Sequence, residues 1–129
     1  RFKATLEFSQ ADLVLLELGA NDGLRGYPIK SMRNNLSKMI EETKNSGANV
    51  VLIGIRLPPN LGDIYNLPFY ETYAQLAEIH QIPLIPFLLE GVAGNDKLMQ
   101  RDQLHPNALG QPIIADTVFE AISPLLPNF

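Results

Sequence analysis

Cysteine is absent from the 129 residues. That excludes a disulfide framework, a thiolate metal site and a cysteine nucleophile, while saying nothing about compartment. Positive charge is also scarce: ten Lys and Arg stand against fourteen Asp and Glu, for a net charge of −4. Such a chain has no basic footprint for nucleic acid or anionic lipid. No apolar run approaches the ~20 residues that a membrane-spanning helix requires. Neither an initiator Met nor a signal-peptide pattern is present at Arg1-Phe2-Lys3, and the chain reads as a piece of a longer product. Repeats, low-complexity tracts and linkers are missing too. What remains is a chain 46% apolar, about the size of one domain with one core.

Three short apolar runs punctuate that chain. "LVLLELG", residues 13–19, is almost continuously apolar, as suits a strand covered on both faces in a parallel sheet. "NVVLIGI", residues 49–55, reads the same way, and "IPLIPFLL", residues 82–89, is cut to a short strand near an edge by Pro83 and Pro86. Between the runs the period becomes helical. Ile29, Met32, Leu36, Met39 and Ile40 form one stripe, closed by Lys44 and Gly47; Phe69, Tyr73, Leu76, Ala77 and Ile79 form a second. Leu109, Ile113, Ile114, Val118 and Ile122 form a third, expected to pack on the sheet, and Phe2, Leu6 and Ser9 suit the end of an earlier helix. The alternation predicts an α/β fold with parallel strands joined by right-handed crossovers.

In such a sheet, ligands gather at the carboxyl ends of the strands. Three loops follow those ends: "ANDGLRGYP", "RLPPNLGDIYN" and "EGVAGNDKLMQRDQLHP". The last holds Asp102 three residues before His105, so a turn would let the carboxylate hold one ring nitrogen while the other faces the cleft. That pairing is the orienter and base of a nucleophilic triad. Pro106 is expected near the start of the following helix, stiffening His105. The first loop holds Asn21 behind Gly19, which permits an unusual backbone path. A side-chain amide there can donate to a developing oxyanion, a contribution of ~3 kcal/mol when preorganised. Taken singly, Asp102 and His105 suit loop decoration, and Asn-Asp-Gly suits a plain turn.

Together, in this order and with these flanks, the two stretches are similar to conserved blocks of the SGNH or GDSL hydrolase family, most closely its acyl-CoA thioesterase and lysophospholipase branch. "LVLLELGANDGLRGYP" resembles the block that carries the oxyanion Asn, and "RDQLHPNALGQPIIADTVF" the block that carries the acid and base. The resemblance covers essentially the whole chain. It implies a flavodoxin-like three-layer α/β/α sandwich in which the chain is the C-terminal part, residues 1–129, of a single hydrolase domain. It further implies hydrolysis of acyl esters, thioesters or lysophospholipids through an acyl-serine, without metal or organic cofactor, in a periplasmic or secreted enzyme. His105 would be the base, Asp102 its orienter and Asn21 an oxyanion donor. Gly19, Asp22, Leu24, Arg25, Tyr27 and Leu104 would border the substrate, and Ile64, Tyr65, Leu67 and Phe69 could line an acyl groove or anchor the loop to the core.

The family's nucleophile sits in a Gly-Asp-Ser motif that this chain lacks. Ser9, Ser31, Ser37, Ser46 and Ser123 fall in helices, at helix ends or ahead of a strand, and read as structural. The resemblance therefore places the serine, with the first two strands of the fold, on a missing N-terminal segment about fifty residues ahead of Asn21. Residues 13–19 would then form an exposed edge that invites pairing with that segment or with another copy of the chain. The competing expectation is an inactive fragment or paralogue that binds without cleaving. A nucleotide-binding module lacks its Gly-rich fingerprint and P-loop Lys. Asp22, Asp96, Asp102 and His105 have no compact metal-ligand spacing.

Overall fold

The computed structural model describes residues 1–126, which form two compact units, Arg1–Pro86 and the segment from Phe87 onward. In the first unit, helix α1 (Phe2–Ser9) leads into strand β1 (Leu13–Leu16), short helix α2 (Ala20–Leu24), helix α3 (Ile29–Asn45) and strand β2 (Asn49–Ile53). A single 3-10 turn, Pro59–Leu61, precedes helix α4 (Asp63–His80) and strand β3 (Leu84–Ile85). The second unit contains helix α5 (Gln111–Ile122) and a 3-10 turn, Ser123–Leu125.

The sheet has the order β1-β2-β3 and is parallel throughout, with Leu13 opposite Asn49 and Leu52 opposite Leu84. Val50, Val51, Leu52 and Ile53 are all buried, so β2 is covered on both faces as its apolar run predicts. β1 departs from that expectation. Only Leu16 is buried, and Leu15 is 41% exposed. The reason is position: β1 ends the sheet, and among the described residues it has a partner strand on one side only. β3 is two residues long because Pro83 and Pro86 bracket it, each lacking an N–H for the ladder.

Helix α3 buries Met32, Leu36, Ile40 and Thr43, one stripe at helical spacing. Its end follows its chemistry: Gly47 sits at φ 87°, and its N–H donates to the Lys44 carbonyl. Leu36 and Ile40 join Leu16, Val50 and Leu52 from the sheet and Phe69, Tyr73 and Leu76 from α4 in one core cluster. Each such aliphatic side chain contributes roughly 1.5–3 kcal/mol by leaving water.

Helix α4 begins at Asp63, earlier than the apolar stripe starting at Phe69 suggests. Pro68 lies inside the helix. The turn ahead of it is held by Tyr65 and Asn66 N–H groups donating to the Gly62 carbonyl, and by Asn66 Nδ2 donating to Pro58. In the second unit, α5 has no buried residue; Ile114, Thr117, Val118, Ala121 and Ile122 form a half-buried stripe, while Leu109 precedes the helix and is exposed. The predicted period is present, but the burial is partial.

Gly54, directly after β2, lies hard against the backbone that follows β3. Its N–H donates to the Ile85 carbonyl at 2.8 Å, and a Cβ there would collide with the Pro86 carbonyl oxygen. Gly54→Ala is therefore expected to lower stability by about 1–3 kcal/mol, the usual range for overpacking. The check is a urea titration, where the midpoint should fall at constant slope; an unchanged midpoint would show that the backbone gives way freely.

Candidate active site

The chain between Asp96 and Asn107 is an irregular loop that ties itself together. Met99 and Pro106 form an isolated antiparallel bridge, Gln100 N–H donates to the His105 carbonyl at 2.8 Å, and Asn107 N–H donates to Leu98 at 2.8 Å. The Asn107 side chain closes the base, its Nδ2 donating to the Lys97 and Met99 carbonyls. Pro106 thus belongs to this bridge and not to a helix: α5 starts at Gln111, and Pro112 occupies its first turn.

At the tip, Gln103 adopts a left-handed φ of 56°, uncommon outside glycine. It is held there by its N–H donating to the Gln100 carbonyl and its Nε2 donating to Asp96 Oδ1 at 3.1 Å. This reversal turns His105 back over Asp102. Asp102 Oδ1 then accepts from the Leu104 and His105 N–H groups, each at 3.0 Å, and Oδ2 meets His105 Nδ1 at 2.8 Å. Those contacts hold the Asp102 carboxyl down at about 2, the His105 ring contributing first and the two backbone donors next. An ionised carboxylate only accepts, so Nδ1 carries the proton and Nε2 is the basic nitrogen. Nε2 has no partner among the described residues, and the His105 side chain is 69% exposed. The pair predicted from the spacing is formed, with its free nitrogen outward.

Asn21 lies in the first unit, on α2, where the sequence suggested only a loop. The N-terminal end of α2 rests on Gly19 at φ 114°, a conformation that L side chains rarely adopt. Its C-terminal end is closed by Arg25 N–H donating to Asn21, Gly26 N–H to Gly23 and Tyr27 N–H to Asp22. The Asn21 side chain is exposed and has no hydrogen-bond partner among the described residues, so its amide is available as a donor. Beside it opens a cavity of about 260 Å³ lined by Glu17, Gly19, Asn21, Asp22 and, from α3, Met32 and Asn35. Partial burial pushes the Glu17 carboxyl up. Leu24, Arg25, Tyr27 and Leu104 are exposed.

Several residues acting on these groups were not legible beforehand. Tyr65 and Phe69 both lie on α4, and Phe69 is fully buried, so of the two expectations for it core anchoring holds and a place in an acyl groove does not. Tyr65 Oη donates to the Tyr27 carbonyl at 2.7 Å, and Tyr73 Oη donates to the Leu18 carbonyl at 3.0 Å. The signal is the spacing of Tyr65, Phe69 and Tyr73 along one helical face, of which only Phe69 and Tyr73 read as a core stripe while Tyr65 reads as groove lining or loop anchor. Gln100, Gln103 and Asn107 carried no signal at all. His80 and Ser37 meet at 2.8 Å between α4 and α3, the structural role that suits a helix end. Among the described residues, no three His, Asp or Glu side chains group so as to hold a metal ion, and no helix is long and apolar enough to cross a membrane.

The family described as GDSL-like lipase/acylhydrolase matches residues 1–113. An arylesterase of Vibrio mimicus is 50% identical over 122 residues, 95% of this chain and 61% of that protein. The thioesterase 1/protease 1/lysophospholipase L1 of Escherichia coli is 40% identical over 126 residues, 98% of this chain and 61% of its own length. The chain thus spans about three-fifths of the curated relatives it matches. The crystal structure of TesA superposes with a TM-score of 0.92 at 40% identity, covering 98% of this chain and 70% of that one.

The depressed Asp102 acidity has a defined pH window. A folded-state pKa below the ordinary carboxylate value of 3.8 means that the clasp contributes fully above that value and is lost as pH falls through about 2. A carbon-detected NMR titration should give an Asp102 midpoint near 2, moving up toward the ordinary value in His105→Ala. A midpoint indifferent to His105 would refute the contact.

Proposed function

The chain belongs to the GDSL-like lipase/acylhydrolase family, and on that premise we propose that it carries the base, orienter and an oxyanion donor of a serine-dependent acyl-ester hydrolase. The observation that supports this most is the Asp102–His105 clasp, with an ionised carboxylate on Nδ1 and an exposed Nε2. In that arrangement Nε2 takes the proton of an attacking serine hydroxyl, and the ring, now imidazolium, is stabilised by Asp102. The same nitrogen returns the proton to the leaving group, and then activates water to release the acyl-enzyme. Asn21 donates its amide to the oxyanion, with Gly19, Asp22, Leu24, Arg25, Tyr27 and Leu104 bordering substrate.

The nucleophile, in this reading, is a serine outside these 129 residues. Ser9, Ser46 and Ser123 hydroxyls donate to carbonyls of the preceding turn, Ser37 is engaged by His80, and Ser31 lies on α3. The greater length of the relatives leaves room for such a segment. The open side of β1 supports pairing with a further strand, from that segment or from another copy. Substrates are acyl esters, thioesters or lysophospholipids, in keeping with the activities for which the relatives are named. A periplasmic or secreted location follows from the same reading, and no cofactor takes part in the steps above.

The test is hydrolysis of a p-nitrophenyl acyl ester by the full-length protein. His105→Ala and Asp102→Asn should each lower kcat by about 10³-fold or more, as loss of a triad member does. Asn21→Ala should lower kcat by about 10²-fold. Full activity in His105→Ala would refute the assignment of the base, and a product inactive with every acyl ester and thioester would favour a binding module.

A further inference from the structure

Helix α2 is five residues long and has no side-chain cap, so it cannot hold its shape by its own hydrogen bonds. Yet it carries Asn21, whose value as an oxyanion donor depends on being fixed before the charge develops. The fixing comes from α4. Tyr65, Phe69 and Tyr73, four residues apart, stand in one row along that helix. The rings of Tyr65 and Phe69 stack at 6.2 Å, and Phe69 meets Tyr73 edge-on at 5.7 Å.

Both ends of α2 are fastened to this row. Tyr73 Oη donates to the carbonyl of Leu18, just ahead of α2, and Tyr65 Oη donates to the carbonyl of Tyr27, just behind it. Between these anchors α2 lies on the row through two glycines four residues apart. A Cβ at Gly19 would sit 2.5 Å from Tyr73 Oη, and one at Gly23 would sit 2.7 Å from Phe69 Cε2. Glycine is needed at both positions because the backbone itself makes the contact.

We propose that the Tyr65–Phe69–Tyr73 row is a positioning device for Asn21, clamping α2 at both ends so that the amide is preorganised for the oxyanion. The three are positioning residues, since none is placed at the reacting atoms. Burial, with Asp22 adding to it, pushes the pKa of both tyrosines up, so both hydroxyls remain protonated donors at neutral pH. The proposal rests on the reading of Asn21 given above.

The experiment is a double-mutant cycle in the full-length protein, with a p-nitrophenyl acyl ester as substrate. Tyr65→Phe removes one half-exposed hydroxyl and should lower kcat about fivefold, the weight of one hydrogen bond, leaving KM unchanged. In the Asn21→Ala background it should cost nothing further, because the tyrosine acts through the amide. Tyr73→Phe should behave alike. Melting temperature checks that each variant folds, and hydrogen exchange at the amides of residues 23–27 reads α2 directly; exchange should quicken in Tyr65→Phe. Additive losses in the cycle, a rise in KM with kcat intact, or unchanged exchange would overturn the proposal. Quickened exchange alongside full activity of Asn21→Ala would instead sustain the clamp on α2 and remove Asn21 from the oxyanion hole.

Discussion

The burial of β2 is the constraint on which the first unit depends. Val50 to Ile53 have no solvent on either face, and a fully buried backbone must find every hydrogen bond within the protein. β2 does so by pairing in parallel with β1 on one side and β3 on the other. Parallel pairing forces each connection to cross over a face of the sheet, which is why α3 and α4 exist and why their apolar stripes share one core with Leu16, Val50 and Leu52. It also sends every strand's carboxyl end in the same direction. The α2 segment and the loop beginning at Ile55 therefore emerge side by side, close enough for Leu57 to lie against Gly23.

Within that frame, chemistry is assembled by main-chain exceptions more than by main-chain regularity. Gly19 at φ 114° turns the chain off β1 into α2, and Gln103 at φ 56° folds His105 onto Asp102. Each exception is held in place by specific bonds, the first by Tyr73 and the second by Gln100 and Asp96. Gly19 takes its conformation without strain, whereas the strained Gln103 persists only where the surroundings over-determine it.

Apolar period and turn chemistry made the parallel sheet, α1, α3, the core of α4 and the shortness of β3 legible in the sequence. The Asp102–His105 contact was legible as a possibility, because three residues is the reach of a tight turn. Other features were hidden for definite reasons. The short α2 has no period long enough to register. The first turn of α4 reads as loop because its apolar residues, Ile64 and Leu67, are exposed and form no stripe with Phe69. The half exposure of β1 follows from which strands flank it; apolar content alone carries no such information, and only the resemblance, which leaves residues 13–19 at an open edge, points to it. Tyr73 looks like core, and Tyr65 like groove lining or a loop anchor, because an aromatic's ring and its hydroxyl answer to different needs, and only the ring leaves a trace in hydropathy.

The loop that presents His105 draws nearly all its bonds from residues 95–107, from Asn95 to the closing Asn107. Few long chain segments need be brought together to form it, so its cost in loop-closure entropy is small and its contacts can arise early, ahead of the slower parallel pairing of the sheet. The Asp102–His105 pair is thus a locally encoded cassette. Substitutions that loosen the sheet would alter how often the chain is folded, without altering the geometry of the Asp102–His105 pair within the molecules that are.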